Sequence, residues 1–157
     1  MDRVASLAAE WERAKAGTKE YLEAAGADQL GFRPAPESRS FAEQFLHVAA
    51  TQYSFAASAT GRANPLDALG VKPEKDEKLK GDPDAFRKFV LDSYDFMIEG
   101  VRALDPATLD EEVPFFKRQL PRSVLLAKAM EHHAHHRGQT AVYLRLSGIT
   151  PPSERLF

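Results

Sequence analysis

Four segments of this chain share a helical repeat of apolar residues, and stretches containing glycine or proline separate them. Within each segment the apolar side chains recur every three or four residues, which places them along one side of an α-helix. The segments run over residues 2–25, 40–60, 82–104 and 122–147, and no convincing sheet accompanies them. Helices with one apolar side bury it against one another, so the sequence predicts an all-α four-helix bundle, with residues 1–157 forming a single domain.

Residues that favour helix ends mark the limits of these segments. Ser40 and Glu43 form a Ser-x-x-Glu pattern, in which each side chain can bond the other residue's backbone N–H. Asp82 followed by Pro83 predicts the start of the third helix. Gly61 predicts the end of the second helix, because glycine readily adopts the left-handed conformation that closes a helix.

Two connections are long for a chain of this size. Residues 62–81 carry a run of mixed charge, which predicts a solvated crossover loop rather than a binding patch. A loop of this length can also lie over a site. Residues 105–120 contain a Val-Pro-Phe-Phe sequence, for which a short strand or a turn is predicted.

The composition limits the classes of function. The chain has no cysteine, which excludes disulfides and a thiolate of its own. Its net charge of -2 gives no reason to expect a nucleic-acid partner. No apolar run of about 18 residues predicts a membrane span, and the N-terminal residues show no signal-peptide core. A cytoplasmic protein that binds neither nucleic acid nor membrane is therefore predicted.

Four of the five histidines crowd into residues 132–136, within the fourth segment. His132 and His136 lie on the face that also carries apolar residues, so both are predicted to point into the bundle. Residues four apart on a helix have Cβ atoms about 5–6 Å apart, which lets two imidazoles bind one ion at about 2.0–2.1 Å. His133 is predicted on the flank of the helix and His135 toward solvent, so neither is predicted as a ligand.

A third ligand must come from another helix, and His47 in the second segment is the remaining histidine. Small neighbouring residues leave room there for a pocket. A metalloprotease motif would need a glutamate where His133 stands, so that class is disfavoured. Two other interpretations stay open: a surface histidine cluster that gathers metal only during purification, and core histidines that simply hydrogen-bond their neighbours.

The C-terminal part of the chain resembles the signature of the DinB/YfiT-like family. In that family a His-x-x-x-His-Arg-Gly-Gln pattern precedes a leucine-rich turn, a glycine and a Pro-Pro pair. A second mark is a histidine in the second helix, preceded by a proline-containing loop and a capped helix start. The matching segments here are 132–139, 143–148, Pro151-Pro152, 32–34 and 40–47.

This resemblance implies an up-down-down-up bundle with long crossover loops, in which His47, His132 and His136 bind a divalent metal, zinc or nickel. It also implies a homodimer. Some family members and relatives transfer a low-molecular-weight thiol such as bacillithiol, or use mycothiol in isomerisation. Others have been described as metal-dependent hydrolases, and many have no known activity.

Three neutral imidazoles leave an ion with an open coordination position, which is typical of catalytic zinc sites. The first hypothesis is a metal-dependent transferase that uses an external low-molecular-weight thiol to modify small electrophiles, in stress or detoxification. The alternatives are a hydrolase that uses metal-bound hydroxide and a non-catalytic protein that binds metal or ligand.

Four further residues are candidates for the surroundings of the metal. Glu43 and Tyr143 are weak candidates for a catalytic role, because Glu43 lies one turn before His47 and Tyr143 shares the histidine face of its helix. Gln139 and Arg137 are candidates for lining a substrate pocket. A structural role is at least as good an interpretation for each of them.

Overall fold

The computed structural model describes residues 2–70 and 72–157, and most of them lie in helices. Four helices of 20 to 25 residues form a bundle, and a five-residue helix and a two-stranded hairpin lie in its connections. In chain order the elements are α1 (Arg3–Ala24), α2 (Phe41–Thr60), α3 (Glu77–Gly81), α4 (Pro83–Arg102), β1 (Glu112–Phe115), β2 (Arg118–Pro121) and α5 (Arg122–Leu146). The predicted helical bundle is confirmed.

The helix ends follow the local chemistry of the sequence. The hydroxyl of Ser40 accepts the backbone N–H of Glu43 at 3.2 Å, and the Glu43 carboxylate accepts the N–H of Ser40 at 2.9 Å. Gly61 closes α2 with a φ of 73°, where a side chain would be strained. The Asp82 carboxylate accepts two N–H groups from the first turn of α4. These short-range bonds explain why the start of α2, the end of α2 and the start of α4 could be predicted.

Contacts between successive turns fix the direction of each helix relative to its neighbours. Helices α1 and α4 are antiparallel, because Lys15 contacts Asp95 and Leu22 contacts Arg87. Helices α2 and α5 are also antiparallel, because Gln44 contacts His136 and Thr51 contacts His132. Helices α2 and α4 are parallel, because Gln52 contacts Ser93 and Thr60 lies beside Gly100. Helices α1 and α5 are parallel as well, because Trp11 contacts His133 and Gly17 lies beside Arg137. The long helices therefore run up, down, down and up in chain order.

Because α2 and α4 point the same way, the chain between them returns along the bundle. Part of this crossover packs against α2, where Pro73 is buried in a short 3-10 turn. Two charged residues of the crossover contact α2 side chains: Glu74 contacts His47, and Lys80 pairs with Glu43. Most described residues of the crossover are exposed, as predicted for a solvated loop, and the expectation that it could also lie over a site agrees with these contacts.

The connection between α4 and α5 contains an antiparallel hairpin of β1 and β2, in which Val113 pairs with Leu120 and Phe115 with Arg118. Phe116 stands at its tip with a φ of 51°. Phe115 stacks on Phe55 of α2, with ring centroids 4.5 Å apart. The hairpin thereby covers one end of the groove between α2 and α5.

Large apolar side chains fill the space between the long helices. Those less than 2% exposed include Trp11, Phe45, Phe86, Tyr94 and Leu144. Burial of each such side chain contributes roughly 1.5–3 kcal/mol to folding, which makes the bundle core a rigid support for the polar side chains between α2 and α5. Across the described residues, no helix has both the length and the apolar character needed to span a membrane.

Candidate metal centre

Three histidines meet across the antiparallel pair of α2 and α5. One ring nitrogen from each of His47, His132 and His136 lies within 4.8 Å of the other two. The Nε2 atoms of His47 and His132 are 3.3 Å apart. Two imidazole ligands at tetrahedral angles, each about 2.0–2.1 Å from a zinc ion, have nitrogens roughly 3.3–3.4 Å apart. The structure thus brings the three predicted ligands together at a spacing that fits one ion.

The opposite ring nitrogen of each histidine is held by a hydrogen-bond acceptor. The three Nδ1 contacts are His136 to Gln44 Oε1 at 2.8 Å, His47 to Glu74 Oε1 at 3.3 Å, and His132 to Thr51 Oγ1 at 3.2 Å. Imidazoles that bind a metal commonly donate their other N–H in this way, which fixes the tautomer and the ring orientation. The arrangement directs the three Nε2 atoms toward a common centre.

The amide of Gln44 can be oriented from its own partners. The hydroxyl of Tyr143 donates to the carbonyl of Arg39 at 3.0 Å, so it accepts from Gln44 Nε2 at 2.9 Å. The same Nε2 donates to Gln139 Oε1 at 2.8 Å. The Oε1 of Gln44 therefore faces His136 as an acceptor, and the proton of that imidazole is on Nδ1.

The other two acceptors lead to the same tautomer. The Thr51 hydroxyl donates to the backbone carbonyls of His47 at 2.8 Å and Val48 at 3.0 Å, so it accepts from His132. A carboxylate such as that of Glu74 only accepts. The Nε2 atoms of His47 and His132 consequently face each other with lone pairs, an arrangement that a cation between them would stabilise. The residues present therefore fit a bound metal ion.

Burial keeps these imidazoles neutral. Burial, followed by repulsion from the neighbouring histidines, lowers the pKa of His132 to about 4 and that of His136 to about 3. Burial, followed by the charge of Arg39, also lowers the pKa of His47, against the opposing effect of Glu74. Neutral imidazole is the form that binds metal, so the cluster is in the right state near neutral pH.

Glu43, a weak candidate for a base, has a structural role. Its carboxylate accepts the N–H of Ser40 and pairs with Arg33 at 2.7 Å and Lys80 at 3.3 Å. Burial raises the pKa of Glu43, but these hydrogen bonds together outweigh it, so the pKa is lowered overall. A carboxylate stabilised in its charged form at a helix N-terminus is a poor proton acceptor.

Tyr143 and Gln139 contact the predicted ligand His136 only through Gln44. Both accept from Gln44 Nε2, which itself holds His136, and Tyr143 is 5% exposed. Gln139 Nε2 also lies 2.8 Å from the Nε2 of His135, which is exposed as predicted. These two candidates thus help to orient a predicted ligand.

Arg137 faces a different part of the bundle. Its guanidinium lies against Gly17 of α1 and 5.9 Å from the ring centroid of Tyr21. Helix α5 buries one face against α2 and another against α1, and Arg137 belongs to the second. The structure does not bring it to the histidine cluster.

The sequence predicted His133 on the flank of the histidine face, but this residue is 2% exposed in the core. Its ring packs against those of Trp11 and Tyr94, and its Nε2 is 3.2 Å from the hydroxyl of Thr18. The prediction failed because it considered one buried face of α5, whereas α1 covers a second. His133 is not part of the cluster formed by His47, His132 and His136.

Three residues of the site escaped the sequence analysis: Gln44, Thr51 and Glu74. Gln44 and Thr51 flank His47 at spacings of three and four, so a polar stripe on an otherwise apolar helix could have indicated them. Glu74 belongs to the crossover loop, where no periodic pattern connects it to His47. Only the path of the loop places it there.

The fold and the donor set define a helical-bundle protein with a three-histidine cluster that could hold a metal ion. The chain matches the DinB superfamily over residues 10–140 and belongs to that family.

Individual relatives agree with this assignment. The chain is 29% identical to the "Uncharacterized protein YjoA" of Bacillus subtilis (strain 168) over 137 residues, which covers 85% of this chain and 83% of that protein. It is 37% identical to the "Uncharacterized protein YrdA" of the same organism over 70 residues, covering 41% and 42% of the two chains.

Two solved structures share the fold over nearly the full length. A DinB-like protein from Bacillus cereus ATCC 10987 superimposes with a TM-score of 0.76 at 19% identity, covering 98% of this chain and 99% of the other. The DinB-like protein YjoA from Bacillus subtilis gives a TM-score of 0.71 at 23% identity, covering 97% and 96%. At these identities the likeness concerns the fold alone.

Proposed function

We propose that this chain binds one divalent metal ion through the Nε2 atoms of His47, His132 and His136. The observation that carries the proposal is the pairing of three converging nitrogens with three acceptors that hold the opposite Nδ1 atoms. Zinc and nickel are the ions proposed because the family resemblance implies them; imidazole ligands alone suit copper and iron as well.

The proposed activity is that of a transferase that joins a low-molecular-weight thiol to a small electrophile. A divalent ion at this site would supply a charge that favours the deprotonated thiol. The thiol comes from outside, because the chain has no cysteine. The proposal extends to a cytoplasmic homodimer that acts on small molecules and binds neither nucleic acid nor membrane.

The surroundings of the cluster support a thiol more than a reaction that needs a protein base. Glu43 is held by the start of α2 and by its ion pairs, and Glu74 is held by His47. A thiol that binds as thiolate needs no carboxylate to remove its proton. Glu43 therefore has a structural role, and Glu74 orients His47.

The metal part of the proposal is tested by mass spectrometry of untagged protein beside His47→Ala, His132→Ala and His136→Ala. His135→Ala is the matched control, because that exposed histidine lies on the same helix next to His136. The expected result is about one ion per chain in the wild type and the control, with a large loss in the other variants. Wild-type protein that cannot be loaded, or full metal content in His47→Ala, would overturn it.

The reaction is tested with 1-chloro-2,4-dinitrobenzene and bacillithiol, with and without chelator. Transfer forms a carbon–sulfur bond, releases chloride and leaves the thiol proton to solvent. The expected result is consumption that needs both metal and thiol and that is lost in His132→Ala. Cleavage of an ester without thiol would favour the hydrolase alternative, and neither activity in metal-loaded protein would favour a binding role.

A further inference from the structure

A cavity of about 750 Å³ lies between the hairpin and the groove of α2 and α5. Its walls are mainly apolar, and the aromatic ones belong to Phe55, Phe115 and Phe116. Leu120, Val124 and Leu125 complete the apolar lining. A concave apolar site of this size has the dimensions of a small-molecule pocket.

The cavity lies beside the histidine cluster. The ring of Phe55, which forms part of its wall, is 6.0 Å from the ring of His132. Lys128, another lining residue, precedes His132 by one turn of α5, a rise of about 6 Å. A molecule in the cavity would therefore extend along the same groove toward the proposed metal ligands.

The aromatic walls form a stack that a ligand ring can continue. Phe55 and Phe115 are nearly parallel, with an interplanar angle of 17°, and Phe116 meets Phe115 edge-on at 4.6 Å. Phe116 is 88% exposed and has a φ of 51°, a conformation that disfavours bulky residues. Asparagine or glycine would suit this turn better, so the phenylalanine at this position points to a role for its ring.

The rim of the cavity is positively charged. It carries Lys117, Arg118 and Lys128, and no carboxylate appears among the described residues that line it. Lys128 is paired with Glu131 at 2.7 Å, whereas the ion pairs found in residues 2–70 and 72–157 do not include Lys117 or Arg118. These two cations are available to an anionic group at the mouth.

We propose that this pocket binds a planar aromatic compound that carries a carboxylate or a similar anion. The ring packs on Phe55, Phe115 and Phe116, and the anion pairs with Arg118, with Lys117 beside it. That the ligand is a substrate of the neighbouring cluster rests on the proposed function. The binding itself does not, because none of the three histidines lines the pocket.

Calorimetric titration with 2-naphthoate, the neutral 2-naphthylmethanol and the cationic 2-naphthylmethylamine tests the charge preference. Naphthoate is expected to bind about tenfold more tightly than the amine. Arg118→Gln should weaken naphthoate binding by about fivefold to tenfold while leaving the alcohol unchanged. Arg145→Gln, an exposed arginine near the other end of α5, should have no effect.

The aromatic wall is tested with Phe116→Ala, which removes an exposed ring and should weaken the binding of naphthoate and of the alcohol alike. Phe157→Ala, another exposed phenylalanine, is the control. Equal affinities for the three probes, or wild-type affinity in both Arg118→Gln and Phe116→Ala, would overturn the proposal. A dimer that Phe116→Ala converts to monomer, with no naphthoate binding by the wild type, would instead make the pocket an interface between copies.

Metal content is measured on the same samples before and after chelator treatment. Naphthoate binding that persists in metal-free protein supports the pocket whatever the outcome for the metal. Loss of the metal site and loss of the pocket are thereby separate results.

Discussion

The Oε1 atom of Gln44 accepts the Nδ1–H of His136 at 2.8 Å, and both side chains are more than nine-tenths buried. This bond links the first turns of α2 to the middle of α5. It also fixes which nitrogen of His136 carries the proton, because the Gln44 amide is itself oriented by Tyr143 and Gln139. A buried amide therefore controls the direction of a proposed metal ligand.

Gln44→Ala is expected to weaken metal binding by about tenfold to a hundredfold, because His136 loses the acceptor that fixes its tautomer and ring orientation. The measurement is competition with a chelator of known affinity. Gln52→Ala is the matched control, since Gln52 is equally buried in the same helix but bonds Ser93. Equal metal affinity in the two variants would show that the amide only supports the fold.

Glu74→Gln tests the contribution of the crossover loop. The amide can still accept from His47 Nδ1, but it lacks the charge, so a loss of roughly threefold to tenfold in metal affinity is expected. Glu77→Gln is the control, because this exposed residue of α3 pairs with Lys80 and not with His47. If Glu74→Gln binds metal like the control, the 3.3 Å contact with His47 has no influence on the site.

Two helical glycines are expected to respond oppositely to alanine. A Cβ at Gly100 would lie 2.8 Å from Thr60 Cγ2, and Thr60 is held by its hydroxyl bond to the carbonyl of Ala56 at 2.7 Å. Gly100→Ala should therefore lower the free energy of unfolding by about 1–3 kcal/mol. A Cβ at Gly17 would meet the far end of Arg137, which can rotate away.

Gly17→Ala should consequently be neutral or stabilising by up to about 1 kcal/mol, because alanine favours helix over glycine. Urea unfolding measures both variants. A stability loss in Gly17→Ala as large as that in Gly100→Ala would mean that Arg137 is fixed against α1.

Acid should destabilise the metal-free protein through His133. Burial, followed by the charges of Arg137 and Arg13, lowers the pKa of His133 to about 3. Below a pH of about 6.5 the unfolded chain takes up a proton at this position that the folded chain does not. The contribution of His133 to stability is thus complete above about pH 6.5 and decreases as the pH falls toward its folded pKa.

From about pH 6 to about pH 5, the free energy of unfolding should decrease by roughly 1 kcal/mol from His133 alone. Urea unfolding of chelator-treated protein at both pH values measures it. In His133→Gln, the decrease should be smaller by that amount. The same pH dependence in the variant and the wild type would contradict a buried neutral His133.

Much of the fold could be predicted because its determinants are local. The bond between Ser40 and Glu43 spans three residues, and the left-handed Gly61 needs no partner. His132 and His136 were also found by spacing, since a single helix turn places them together. His47 was named as the remaining histidine outside the cluster, and the family resemblance strengthened its assignment as the third ligand.

The sequence by itself determined the four long helices, their ends and the register of His132 and His136, because these depend on interactions within a few residues. The tertiary structure decided that α1 covers His133, that Arg137 faces away from the cluster, and that the crossover loop brings Glu74 to His47. Those outcomes depend on which helix faces pack together and on the path of a loop. Contacts between residues distant in the chain fix the packing of the helix faces and the path of the loop, and these contacts cannot be predicted from local periodicity.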